Sequence, residues 1–132
     1  MHRNYLILAA LLGGLAVALG AFGAHGLHRL TSDEKIIGSF QTGVQYQMYH
    51  ALALLSVGIL YNQFPGKFLR WAGVCYIAGV LLFSGSLYLI TFFKIKVIAV
   101  PRMVGPVTPV GGLLLILGWV FLLVAVTTPR KS

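Results

Sequence analysis

Residues 104–126 read VGPVTPVGGLLLILGWVFLLVAV, without one Asp, Glu, Lys or Arg. A helix needs roughly 20 apolar residues to cross a hydrocarbon core of ~30 Å, and this stretch supplies them. Thr108 as N-cap and Pro109 at the first helical position form a start signal, since proline's missing N–H is not needed there. Pro129 marks the end. Three more runs of the same kind precede it, near residues 5–24, 44–61 and 71–93. Together they predict an all-α, polytopic membrane protein: a single domain over 1–132, built as a four-transmembrane-helix bundle with short loops.

Composition agrees. Hydrophobic residues make up 58% of the chain and charged residues 9%, with a mean hydropathy of +0.90. Soluble domains carry about 25% charged residues, so the surplus apolar surface must face lipid. The net charge of +8 raises the question of nucleic acid. Its ten Lys and Arg are scattered singly or in pairs among loops and tails, however, and form no stripe. The expected partners are the bilayer and its anionic headgroups rather than nucleic acid, with Arg102 as one lipid contact. The lone Cys75 lies inside the third run and forms no intramolecular disulfide; a buried structural thiol is expected.

The first run imitates a signal peptide, with Arg3 ahead of it and Ala21-Phe22-Gly23-Ala24 resembling a cleavage site. It is longer than a usual signal core, which predicts a retained first helix. Ala9, Gly13, Ala16, Gly20 and Gly23 recur along it at three- and four-residue steps and draw a seam where a second helix can approach. The second helix is predicted to begin near residue 33, with Thr31 or Ser32 as cap and Asp33 and Glu34 in its first turn. Over 33–61 it exceeds the core thickness, so its first turns form an interfacial extension. Pro65-Gly66 makes the turn into the third helix.

This topology defines a near side, where the chain begins, and a far side. The near side holds Arg3, Lys67, Arg70, Arg130 and Lys131; the far side holds Arg29, Lys35, Lys94, Lys96 and Arg102. Five against five leaves the positive-inside rule nothing to decide, so a multi-pass protein of the cell membrane is expected in undetermined orientation. Gly13-Gly14-Leu15 and Gly111-Gly112-Leu113 begin a weak internal repeat, of the sort that two Gly- and Leu-rich helices share by coincidence.

Polar residues within the runs gather in the far-side half. His25, Gln45, Tyr46, Tyr49, His50, Ser84, Ser86, Tyr88 and Thr108 form the candidate pocket, with Gln41 beside Gln45. Tyr46, Tyr49, His50 and Ala53 share a helical face by their spacing. His50 is the only strongly ionisable side chain inside a span. An intramembrane histidine is either functional or a neutral group gluing helices through a tyrosine or glutamine; the second is commoner. No carboxylate lies in any span, which weighs against a hydrolase and against ion-coupled export.

Four motifs occur in order: Gly23-Ala24-His25-Gly26-Leu27, Thr42-Gly43-Val44-Gln45-Tyr46-Gln47-Met48-Tyr49-His50-Ala51-Leu52, Phe83-Ser84-Gly85-Ser86-Leu87-Tyr88, and Gly105-Pro106-Val107-Thr108-Pro109-Val110-Gly111-Gly112. As a set they resemble the family labelled domain of unknown function 423, small bacterial four-helix membrane proteins with eukaryotic relatives. The resemblance covers essentially the whole chain and implies four membrane helices. It implies no substrate, cofactor or catalytic residue.

The expected function is therefore a non-enzymatic membrane protein whose far-side pocket binds a lipid, a quinone or a partner helix. No cofactor is expected. The protein partner would be a second copy or another membrane protein. One alternative is a small oligomeric transporter or pore gated by His50. The other is a haem- or metal-binding redox protein using His25 and His50.

Overall fold

The computed structural model describes residues 1–129; Arg130 and Lys131, two of the near-side cations, lie outside the described residues. Five helices follow one another: α1 (Arg3–Ala24), α2 (Gly26–Leu30), α3 (Glu34–Leu60), α4 (Lys67–Ile95) and α5 (Val107–Thr127). Among the described residues there is no strand. Three helices, α1, α4 and α5, are long and apolar enough to cross a membrane. With 27 residues α3 has the length, but Glu34, Lys35, Gln41, Gln45, Gln47 and His50 dilute its apolar content. The expected count of four spans is thus met by only three helices on composition alone.

The long helices pack in chain order, α1 on α3, α3 on α4 and α4 on α5, and the α4–α5 interface is the most extensive. The α1–α3 pair is antiparallel along its whole length. A Cβ on Gly23 would meet the Phe40 ring, one on Gly20 would meet Val44, and one on Gly58 would meet Leu6. The stripe of small residues read in α1 is this seam. At the near end the His2 N–H donates to the Gly58 carbonyl at 2.9 Å, and the terminal ammonium of Met1 donates to Asn62 Oδ1. The Tyr5 hydroxyl donates to the Arg70 carbonyl at 2.8 Å and ties α4 to the same end.

The core divides in two. Ala53, Leu54, Val57, Leu69, Ala72 and Tyr76 fill the near half. A smaller cluster of Leu27, Ile37 and Phe40 closes the far end. There α2, a single short turn of helix between α1 and α3, folds its fully buried Leu27 beneath the start of α3.

Helix ends depart from expectation where side chains find better partners. Asp33 itself is the cap of α3, its carboxylate accepting from the Lys35 N–H at 2.9 Å, while Thr31 Oγ1 accepts from the Asp33 N–H at 3.1 Å. Thr108 is not a cap: α5 starts at Val107 behind Pro106, because the Thr108 hydroxyl is engaged with Ser86 on α4. Pro109 still falls in the first turn, where its missing N–H costs nothing. At the start of α4, Gly66 holds φ at 156°, a conformation open to glycine, and lets the helix begin directly after it at Lys67.

The far end of α4 closes with a Schellman motif. The Ile98 N–H donates to the Phe93 carbonyl at 2.9 Å and the Val97 N–H to the Lys94 carbonyl at 3.2 Å. That motif requires a left-handed residue after the cap. Here it is Val97, with φ of 56°, where glycine would be free of strain and a side chain costs about 1–2 kcal/mol.

Candidate functional site

Polar groups inside an apolar bundle must find partners within it. On α3 the residues turned inward are Gly43, Gln47, His50, Ala51 and Leu54. They recur at three- and four-residue steps, so one face of α3 carries the polar groups into the protein.

His50 sits level with Gly13, whose Cβ would meet Ala51, and so lies at the middle of α1. Its ring is almost fully buried. Nε2 accepts from the indole N–H of Trp119 at 3.1 Å, and Nδ1 lies 2.7 Å from the Tyr46 carbonyl. An indole nitrogen only donates and a carbonyl only accepts, so the network assigns the neutral tautomer protonated at Nδ1. The ring centre is 5.6 Å from that of Tyr76 and 6.0 Å from that of Trp119. His50 therefore bridges α3 and α5 across α4.

Nearer the far side, a second set of bonds joins the helices. Gln47 Nε2 donates to the Leu12 carbonyl of α1 at 2.9 Å. The Tyr88 hydroxyl of α4 donates to Gln47 Oε1 at 2.7 Å. One glutamine side chain thus ties three helices. Ser84 donates to the Gly43 carbonyl at 2.6 Å, while Ser86 bonds the Phe83 carbonyl and the Thr108 hydroxyl. Gly43 is needed in this layer, since a Cβ there would press into the Tyr88 ring at 2.9 Å.

The candidate pocket residues consequently separate into four groups. His50, Ser84, Ser86, Tyr88 and Thr108 are interhelical ties. Tyr46 and Tyr49 lie outward on α3, Tyr49 at 54% exposure, with their ring centres 5.9 Å apart. Gln41 and Gln45 are exposed along a shallow groove between α1 and α3, opposite Gly20 and Gly23. His25 is exposed at the end of α1. It is level with the Phe40 turn of α3, ten residues or about 15 Å of helix from His50. The two histidines do not converge, and both His50 nitrogens are engaged. Among the described residues no three His, Cys, Asp or Glu side chains gather as a metal site requires. Neither Ser84 nor Ser86 bonds His50, so no serine is paired with a base. Arg102 is exposed in the α4–α5 connection.

What is open is a groove of about 550 Å³ between α3 and α5, floored by α4. Tyr46, His50, Phe83, Gly112, Ile116 and Trp119 line it. Its walls are aromatic and aliphatic, and the His50 ring among them already has both nitrogens bonded. Such walls offer mainly dispersion contacts.

Three residues of this architecture escaped the sequence reading: Gln47, Trp119 and Tyr76. Gln47 was legible in principle, four residues from Gly43 and seven from Leu54 on one helical face. Tyr76 is fully buried, and its hydroxyl has no hydrogen-bond partner. Removing an unpaired buried hydroxyl recovers its desolvation penalty. Tyr76→Phe is therefore expected to stabilise the protein by about 1 kcal/mol, read as a raised unfolding midpoint in nanodiscs; a lower midpoint would show the hydroxyl to be satisfied.

Comparison with known proteins places the chain among similar sequences. A family model described as a protein of unknown function, DUF423, matches residues 19–112. A UPF0382 membrane protein of Staphylococcus aureus is 42% identical over 123 residues, covering 93% of this chain and 94% of the relative. The UPF0382 membrane protein YwdK of Bacillus subtilis is 43% identical over 124 residues, covering 93% and 95%. A UPF0382 membrane protein of Schizosaccharomyces pombe is 40% identical over 116 residues, covering 88% and 95%. No solved structure matches.

Proposed function

Because this chain belongs to the DUF423 family, whose relatives are named membrane proteins without a named activity, we propose that it is a non-enzymatic, four-span protein of the cell membrane. Its α3–α5 groove takes the apolar chain of a lipid or quinone out of the bilayer.

The fourth span is α3. Its residues 40–58 oppose residues 6–23 of α1 turn for turn, a length of about 28 Å. A helix flanked by α1 on one side and α4 on the other crosses whatever those two cross. Its polarity is tolerated because Gln47 and His50 are buried and bonded.

The observation that carries the binding reading is the groove itself: a lipid-level trough walled by Tyr46, Phe83 and Trp119 and widened by the missing side chain of Gly112. A pore through a single chain is disfavoured by the dry packing of Leu54, Val57, Leu69 and Ala72 in the near half.

Gly112 supplies the test. A Cβ there would lie 3.6 Å from the Phe83 ring, ordinary contact distance, so Gly112→Leu fills the groove without forcing the helices apart. Wild-type protein in nanodiscs is expected to be labelled by a photoactivatable fatty acid on peptides containing Tyr46 and Trp119. In Gly112→Leu that labelling is expected to fall roughly tenfold, the equivalent of about 1.4 kcal/mol, with the unfolding midpoint unchanged. Co-purified lipid and quinone, extracted and weighed by mass spectrometry, separate the two sources. Labelling spread evenly over the outer faces of α1 and α5, and indifferent to the substitution, would sink the proposal.

A further inference from the structure

We propose that the α4–α5 connection, together with the last turn of α4, is a binding element for anionic phospholipid headgroups on the far side. This goes beyond the groove and involves none of its lining residues. The connection joins the far ends of two helices that are each apolar enough to span, so it lies at the membrane surface by topology. Residues 94–106 contain three cations, Lys94, Lys96 and Arg102, and no acid. Between them stand apolar side chains with little cover in this chain: Val97 is 92% exposed, Met103 84% and Ile98 51%. Soluble loops place polar residues and glycine at such positions. Interleaved basic and apolar residues suit the headgroup boundary, where the apolar groups reach the acyl region and the cations meet phosphate.

Val97 gives the second, independent indication. It occupies the left-handed position of the Schellman motif, where glycine would serve the backbone better. At 92% exposure its side chain gains little packing among the described residues to offset that strain. Strain held by an exposed apolar residue points to a contact outside the protein. The motif also aims the residues after α4 back across the helix end, which keeps Val97 and Ile98 beside the lysines. The two far-side acids, Asp33 and Glu34, stand on a different element, at the start of α3. Charge complementarity therefore selects anionic over zwitterionic lipid at this loop.

The test uses the full chain in nanodiscs of phosphatidylcholine, with or without phosphatidylglycerol. In a Cys75→Ala background, Val97→Cys carries an environment-sensitive fluorophore. The expected result is a blue-shifted emission, shielded from aqueous quencher, in the anionic discs. Raising the salt, or the triple substitution Lys94→Gln, Lys96→Gln and Arg102→Gln, returns the label to its zwitterionic value. As a measurement that needs no cysteine, native mass spectrometry of the unlabelled protein should show phosphatidylglycerol retained over phosphatidylcholine. Each neutralised cation should cost roughly fivefold in that retention. Val97→Gly should fold at least as well and retain less lipid. A label equally wet in both lipids, as a loop held for a soluble partner would leave it, overturns the proposal. So does retention that ignores the triple substitution, or a label equally shielded in both lipids. Gly112→Leu should leave all of these readouts unchanged, which keeps a failure here distinct from a failure of the groove.

Discussion

Gly111→Ala is expected to unfasten α5 from α4 and to destabilise the protein by about 3 kcal/mol. The reason lies in what the added methyl would meet. A Cβ at Gly111 falls on the backbone nitrogen and Cα of Phe83 and on the carbonyl carbon of Leu82, all closer than real Cβ atoms come. Side chains escape such a clash by rotating; a helix backbone cannot. The two helices must move apart, and the movement is shared by Gly79 against Leu115 and by Gly118 against Tyr76 along the same seam. In lipid, association of helices rests on close packing rather than on hydrophobic exclusion, so a widened seam loses most of its stabilisation. Overpacking ordinarily costs 1–3 kcal/mol, and contact with backbone puts this site at the upper end. The measurement is reversible unfolding in mixed micelles, with Gly112→Ala as a neighbouring control. The control should match wild type. Equal stability of both variants would refute the packing described here.

Gln47→Leu is expected to cost about 2 kcal/mol. The substitution breaks the bonds to Leu12 and Tyr88 together. Leu12 loses little, because a helix carbonyl keeps its own N–H partner. The Tyr88 hydroxyl loses its Gln47 acceptor and keeps only Ser84 beside it, which is the costly part. Adding Tyr88→Phe should therefore recover part of the loss, so that the double variant is more stable than Gln47→Leu alone. Strictly additive costs in the double-mutant cycle would mean the two side chains are not coupled.

The helices were readable from hydropathy, proline and glycine, because those signals are local. The inward face of α3 was not. Tyr46, Tyr49, His50 and Ala53 share a face by spacing, yet of these only His50 and Ala53 turn inward, beside Gly43, Gln47 and Leu54. Tyrosine is at ease against lipid, and glutamine must hide from it, so polarity decided the rotation more strongly than size. The same rule would have chosen Gln47 over Gln45, had the glycine at Gly43 been taken as an approach point. His50 was singled out by type, but its partner Trp119 lies 69 residues away, and no spacing reports a pair at that range. Thr108 looked like a cap because sequence shows what a hydroxyl is able to do locally, not what competes for it. Val97 carried no signal at all: nothing in Lys96-Val97-Ile98 announces a left-handed turn, since the sequence there obeys no local preference.

The order in which the helices touch has a consequence for how the protein is made. Each major interface joins two long helices that follow one another in the chain, and the most extensive, α4 on α5, is the last to be synthesised. Nascent α3 can zip onto α1 while α4 is still in the ribosome, and α4 then presents a finished surface to α5. No helix waits for a distant segment to complete its main interface, so little entropy is spent closing long loops. Assembly thus proceeds as a succession of hairpins, N-terminus first. Gly111 and Gly118 act only at the last of these dockings, so a lesion at either should leave an arrested intermediate of α1, α3 and α4 rather than an unfolded chain.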